Sequence, residues 1–242
     1  MNLLNYENFY EILVYLFSIK NIVFVVPLAG FGTETYAVSV VELWATVGGL
    51  IAVIGARLNK LWWYYIGIIK SFGFIAIFYQ IQLYSDLLLN IYFISMSLYG
   101  IYVWTRIKSN GVYEYPIQYM SLKENIKWSI IIFIGTIFMG LNINSFFEFL
   151  ASNIANMLGV SYVHSEASFP ILDSFIAVTS VVAMYLLAKR KVESWILWVI
   201  VDIVCVGLYL YKGVIAVSVE YLAFLANAMY GVYQWHIASK NN

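Results

Sequence analysis

Tyr99-Gly100-Ile101-Tyr102-Val103-Trp104 returns 131 residues later as Tyr230-Gly231-Val232-Tyr233-Gln234-Trp235. The same offset, without a gap, pairs Glu42 with Asp173, Val47 with Val178, Ala52 with Ala183, Lys60 with Lys191 and Phe93 with Phe224. Chance supplies a Tyr-Gly pair easily in so aromatic a chain, but not matching flanks and basic loops in register. The chain is read as an internal repeat. Each copy holds three apolar segments, about 38–56, 61–79 and 83–104 in the first and 171–187, 195–211 and 214–237 in the second. Each is near the ~20 residues that cross a hydrocarbon core. A single aliphatic connector, about 128–146, separates the copies. Three plus one crossings bring the second copy into the membrane in the same direction as the first. The expected fold is an all-α integral membrane protein of two parallel three-helix repeats joined by a connector helix (3+1+3).

An apolar stretch from Phe9 to Leu28, interrupted by Lys20 and closed by Pro27 and Gly30, is read as an extra N-terminal spanning helix. A helix lying on the surface is the other reading. The divisions are then 1–36 for the N-terminal helix and loop, 37–106 for the first repeat, 107–168 for linker, connector and external loop, and 169–238 for the second repeat. Within 148–168 a mixed loop with a surface helix is expected, carrying His164 as a solvated residue beside Glu166.

Composition agrees. Of 242 residues 63% are hydrophobic and 11% charged, where soluble domains carry about a quarter charged. Aromatics reach 19%, more than interfacial belts require, so some are expected to line an interior. The formal net charge is zero, which gives nucleic acid nothing to recognise. Cys205 is the single cysteine, so no intramolecular disulfide forms and a metal site is not expected. No paired His and Cys, phosphate loop or metal-ligand spacing is present, so neither an enzyme nor a cofactor is expected. Arg57, Lys60, Arg106, Lys108, Lys123, Lys127, Lys189, Arg190, Lys191 and Lys240 fall on one side of the spans and Lys212 on the other. The positive-inside rule makes the linker and C-terminus cytoplasmic. With eight crossings the N-terminus is expected there too.

The candidate site begins in Glu193-Ser194-Trp195-Ile196-Leu197-Trp198-Val199-Ile200-Val201-Asp202. On a helix Trp195, Trp198 and Asp202 fall at i, i+3 and i+7, on one stripe. A carboxylate in an apolar span is costly unless it faces protein or a water-filled cavity. The stripe suits a flat, partly charged organic solute; tryptophan packing around a structural carboxylate is the competing account. The offset sets Lys70-Ser71 against Val201-Asp202, so an ion pair between Lys70 and Asp202 is a further alternative. In the last segment Asn227, Tyr230 and Gln234 share a stripe, with Tyr221 nearby; in the first repeat Asn90 and Ser97 share one. Such groups suit hydroxyls and carboxamides, and membrane helices also use them to bind one another. Glu42, at the opening of the second apolar segment, is a further carboxylate among the candidates.

These residues resemble the PnuC family of bacterial vitamin B3 transporters, relatives of the SWEET sugar transporters. The resemblance runs from Glu42 to Trp235 and rests on Asp86-x-x-x-Asn90-x-Tyr92, Ser97-x-Tyr99-Gly100-x-Tyr102-x-Trp104, Glu193-x-Trp195-x-x-Trp198-x-x-x-Asp202, Glu220-Tyr221-x-x-Phe224 and Tyr230-Gly231-x-x-x-Trp235. It implies a homotrimer in the bacterial inner membrane. It also implies facilitated diffusion of nicotinamide riboside, trapped by phosphorylation in the cytoplasm. Indole faces attract the pyridinium cation, the amides and phenols address carboxamide and ribose, and Asp202 with Glu42 repels a phosphorylated form. A transporter of another vitamin such as thiamine, and a non-transporting membrane receptor or assembly subunit, stay open as alternatives.

Overall fold

The computed structural model describes residues 6–27, 35–80, 84–106, 115–159, 169–211 and 215–240. Its elements are α1 (Tyr6–Phe17), β1 (Ile22–Pro27), β2 (Thr35–Ser39), α2 (Val40–Arg57), α3 (Trp62–Gln80), α4 (Tyr84–Trp104), α5 (Leu122–Leu158), α6 (Pro170–Ala188), α7 (Glu193–Tyr211) and α8 (Ile215–Lys240). Helix α2, Leu87–Trp104 of α4, Leu122–Met157 of α5, α6 and α7 are long and apolar enough to cross a membrane. Helices α3 and α8 have the length, with 19 and 26 residues. Lys70, several aromatics and, in α8, Asn227 and Gln234 lower their hydropathy. The segment read as a loop with His164 and Glu166 lies outside the described residues.

Six helices close a ring. Helix α2 packs on α3 and α8, α4 on α3 and α6, and α7 on α6 and α8; α5 lies outside against α6. Two indoles tie the ring across its halves. Trp104 Nε1 donates to Ala188 O and Trp235 Nε1 to Arg57 O, both at 3.2 Å, and these donors and acceptors are each 131 positions apart. The turns after α2 and α6 behave alike. Asn59 and Arg190 both take positive φ, 55° and 57°, and Arg190 Nη2 donates to Asn59 Oδ1 at 3.0 Å.

Two expectations are corrected. The N-terminal segment does not form a spanning helix. Helix α1 has 12 residues, about 18 Å at 1.5 Å per residue, too short for a ~30 Å core. Lys20 lies in a turn after it. Ile22-Val23-Phe24-Val25-Val26 then forms β1, paired antiparallel with β2, as β-branched and aromatic residues favour. Gln80 holds α1 through Phe17 O at 2.8 Å, and Trp44 Nε1 donates to Leu16 O at 3.0 Å. The connector is also longer than the expected 128–146. Helix α5 runs unbroken for 37 residues, about 56 Å, so described residues expected in a loop from Glu148 onward continue the helix. It stops at Gly159, whose φ of 66° suits a residue without Cβ.

A capping box starts α5. Ser121 Oγ accepts the Glu124 N–H at 3.3 Å, and Glu124 Oε2 accepts the Ser121 N–H at 2.8 Å. That bond, together with Lys191 Nζ at 3.4 Å, holds the Glu124 carboxyl below its ordinary value of 4.5. The depressed carboxyl contributes stability above about pH 4.5, lost as pH falls through its lowered value. Ser121→Ala is expected to cost about 1 kcal/mol, read as a lower melting temperature in detergent. Glu124→Gln should flatten that part of the acid dependence, and an unchanged acid profile would count against the cap.

Candidate functional site

Helix α7 points the stripe of Trp195, Trp198 and Asp202 inward. Trp195 is buried, with Gly231 of α8 directly against its ring and Trp235 edge-on at 5.8 Å. Trp63, Tyr64 and Trp104 extend this aromatic core, and Trp198 packs partly buried against it. The indoles therefore occupy the interior, where Trp195 serves mainly as packing and Trp198 keeps an exposed part.

Asp202 is 4% exposed. One turn on, Cys205 hydrogen-bonds Tyr221, whose ring stacks on Tyr209 at 5.5 Å. The expected alternative of an ion pair with Lys70 is corrected: the Lys70 ammonium lies over Phe74 and Phe93, at 5.2 and 5.4 Å from the ring centroids. Among the described residues the Lys191 ammonium pairs with Glu124, at 3.4 Å. Asp202 has no cation beside it there.

The stripe on α8 divides. Asn227 Nδ2 donates to Val53 O of α2 at 3.2 Å, leaving a buried Oδ1 with no partner among the described residues. Gln234 Oε1 and the Trp195 and Trp63 indole N–H groups are in the same condition. Tyr230 departs from the expected stripe. It is 46% exposed, carries the Arg57 guanidinium 4.6 Å above its ring and stacks on Tyr233, because i+3 overshoots the narrow inward face that Asn227, Gly231 and Gln234 follow. In the first half Asn90 is buried, whereas Ser97 Oγ donates to Phe93 O of its own helix at 2.8 Å. Glu42 is engaged in a capping box with Ser39, its Oε2 accepting the Ser39 N–H at 3.2 Å. Both side chains have local structural duties.

Some features were not read from sequence. Arg190, counted there as a basic loop residue, is 2% exposed, lies 4.6 Å over the Trp104 ring and donates to Tyr115 O at 3.3 Å as well as to Asn59. Beside it Glu193 accepts the Met120 N–H on both oxygens, at 2.9 and 3.0 Å, strapping residues 115–121 to the end of the ring. Ser71 is fully buried; its one signal was the offset that set it on Asp202. A cavity of about 800 Å³ opens elsewhere, between α5, α6 and α7, lined by Phe133, Thr136, Phe175, Thr179, Leu197 and Ile200 among others. None of the ten candidate residues lines it.

The profile of the nicotinamide mononucleotide transporter family matches residues 39–237. The chain belongs to that family. Within it, this chain is 35% identical to the nicotinamide riboside transporter PnuC of Escherichia coli (strain K12) over 225 residues, covering 90% of this chain and 93% of that one. It is 22% identical to the nicotinamide riboside transporter PnuC of Neisseria mucosa over 230 residues, covering 90% and 76%. A crystal structure of the vitamin B3 transporter PnuC superposes with a TM-score of 0.59 at 21% identity, over 83% of this chain and 82% of that one. That likeness carries the fold. The family's members named here are transporters, so the chain is a multi-pass membrane transporter and not an enzyme.

Proposed function

We propose that the chain carries nicotinamide riboside across the bacterial inner membrane by facilitated diffusion, with phosphorylation in the cytoplasm trapping the solute. The observation that carries this reading is Asp202, a carboxylate almost wholly enclosed in a membrane helix, on one stripe with Trp198 and with no cation beside it among the described residues. A bare buried charge is costly; a pyridinium cation with an indole face beside it relieves that cost. The unpaired Asn227 and Gln234 oxygens and the Trp195 N–H match a carboxamide and ribose hydroxyls. Because Glu42 is held in its cap, rejection of a phosphorylated form is assigned to Asp202 alone. The relatives named for nicotinamide riboside support the substrate.

The architecture that goes with this is two parallel three-helix repeats, α2–α4 and α6–α8, joined by α5. It is supported by the equivalent bonds of Trp104 and Trp235 and the equivalent turns at Asn59 and Arg190. Seven crossings, with the linker and C-terminus cytoplasmic by their basic residues, set α1 and its hairpin on the outer side. This replaces the eight-crossing reading. A homotrimer follows from the family resemblance, and α5 offers it an apolar outer face in Phe133, Phe138 and Leu141.

Sealed vesicles holding the pure protein should exchange labelled nicotinamide riboside against a counter-gradient, without an ion gradient. Neither thiamine nor the mononucleotide should compete at similar concentration. Stronger competition by thiamine would move the substrate to that vitamin, and absence of any flux would favour a receptor or assembly subunit.

A further inference from the structure

Tyr64, Gly67 and Ser71 form one stripe of α3, and each lies 131 positions before Trp195, Trp198 and Asp202. The two stripes are packed alike at one end. Gly100 closes on Tyr64 as Gly231 closes on Trp195, since a Cβ at either glycine would fall 2.1 or 2.5 Å from the facing ring. From that shared anchor the stripes diverge: where α7 carries an indole α3 carries no side chain, and where α7 carries a carboxylate α3 carries a hydroxyl.

The room beside Gly67 is enough for a methyl group. A Cβ there would meet Ser97 Oγ at 3.6 Å and Trp63 at 3.9 Å, ordinary contact, so packing does not demand glycine. Ser71 is 0% exposed and its Oγ has no partner among the described residues. Helical serines in a membrane usually spend the hydroxyl on the carbonyl one turn back, as Ser95 and Ser97 do here at 3.0 and 2.8 Å. Ser71 does not. A buried hydroxyl without a partner is unfavourable, the more so where lipid excludes water. The hydroxyls of Tyr64, Thr136, Ser174, Thr179 and Ser194 are also buried and unpaired; Thr136 and Thr179 line the outer crevice, and at the 131-residue offset none of the five meets an acidic residue, as Ser71 does.

We infer that Ser71 is a substrate-positioning residue: its hydroxyl pairs with a ribose hydroxyl of the solute, so the first half recognises the sugar while Trp198 and Asp202 of the second hold the charged ring. This deepens the transport reading above and rests on it. It accounts for the divergence of two otherwise matched stripes, since one ligand with a flat cationic end and a polyhydroxyl end needs unlike halves.

The test is a cycle between protein and ligand. Ser71→Ala should weaken binding of nicotinamide riboside about tenfold. One of the 2′-, 3′- and 5′-deoxy ribosides should bind wild type about tenfold more weakly, yet bind Ser71→Ala as well as the full riboside does. Ser71→Cys, which keeps the volume, should behave like the alanine variant and serves if alanine perturbs folding. Riboside binding within twofold of wild type in both variants overturns the inference and leaves the transport reading intact. So does an equal penalty for every deoxy analogue in wild type and variant. A wild-type protein that binds no riboside removes both.

Discussion

Gly231→Ala is expected to destabilise the fold strongly, and Gly100→Ala to do so at least as much. The added methyl would sit 2.5 Å from the Trp195 ring in the first case and 2.1 Å from the Tyr64 ring in the second, far inside van der Waals contact. Neither ring has room to retreat, since Trp195 is 3% exposed and Tyr64 fully buried, and Trp63, Trp104 and Trp235 pack behind them. Overpacking a filled core costs about 1 to 3 kcal/mol and sometimes more. Here each glycine seats the aromatic centre of one half, so the upper end is expected. Gly49→Ala and Gly207→Ala are the controls, because a Cβ there meets nothing within 4 Å and alanine favours a helix interior by about 1 kcal/mol. Size-exclusion profiles and melting curves in detergent check this: the first pair should aggregate or melt early, and the second pair should match or exceed wild type. Equal melting of all four would remove the aromatic-on-glycine seat as an organising contact.

Trp198→Ala should reduce riboside binding at least tenfold, about 1.4 kcal/mol, with the fold retained. The contrast with its neighbour is the informative part. Trp195 lies wholly inside the aromatic cluster, so Trp195→Ala opens a cavity worth about 3 to 5 kcal/mol and should be lost as folded protein. Trp198 packs against that cluster from its edge and has surface to offer a solute. Asn227→Ala should also weaken binding about tenfold, through loss of its unpaired oxygen and of its bond to Val53. Titration by intrinsic fluorescence, with melting curves alongside, separates the outcomes. Unchanged affinity in both Trp198→Ala and Asn227→Ala would refute the site; a melted Trp198→Ala with an intact Trp195→Ala would exchange their roles.

The membrane helices were legible because lipid imposes a length and an apolar content on every crossing segment, and α2, α3, α4, α6, α7 and α8 fall within a few residues of the spans read from composition. The N-terminus was not legible in that way. Hydropathy alone does not separate a membrane helix from a β-branched strand such as Ile22–Pro27, and Lys20 only marks where the helix stops. The connector's ends were missed for a related reason: the Ser121–Glu124 cap, the true start of α5, lies in polar sequence that reads as linker.

The site divides along the same line. Period and residue type put Trp195, Trp198, Asp202, Asn227 and Gln234 on helical stripes, and the 131-residue offset matched the two halves, because both depend only on spacing along one chain. Which atoms on those stripes are already spent depends on what faces them across the ring. Only the packed helices decided that Ser97 bonds its own carbonyl, that Glu42 caps α2, that Tyr230 turns outward under Arg57, that Asp202 is buried, and that the Ser71 hydroxyl is buried with no such bond. Hydrogen bonds and burial are properties of neighbours brought together from distant positions, and no local pattern encodes which neighbour arrives.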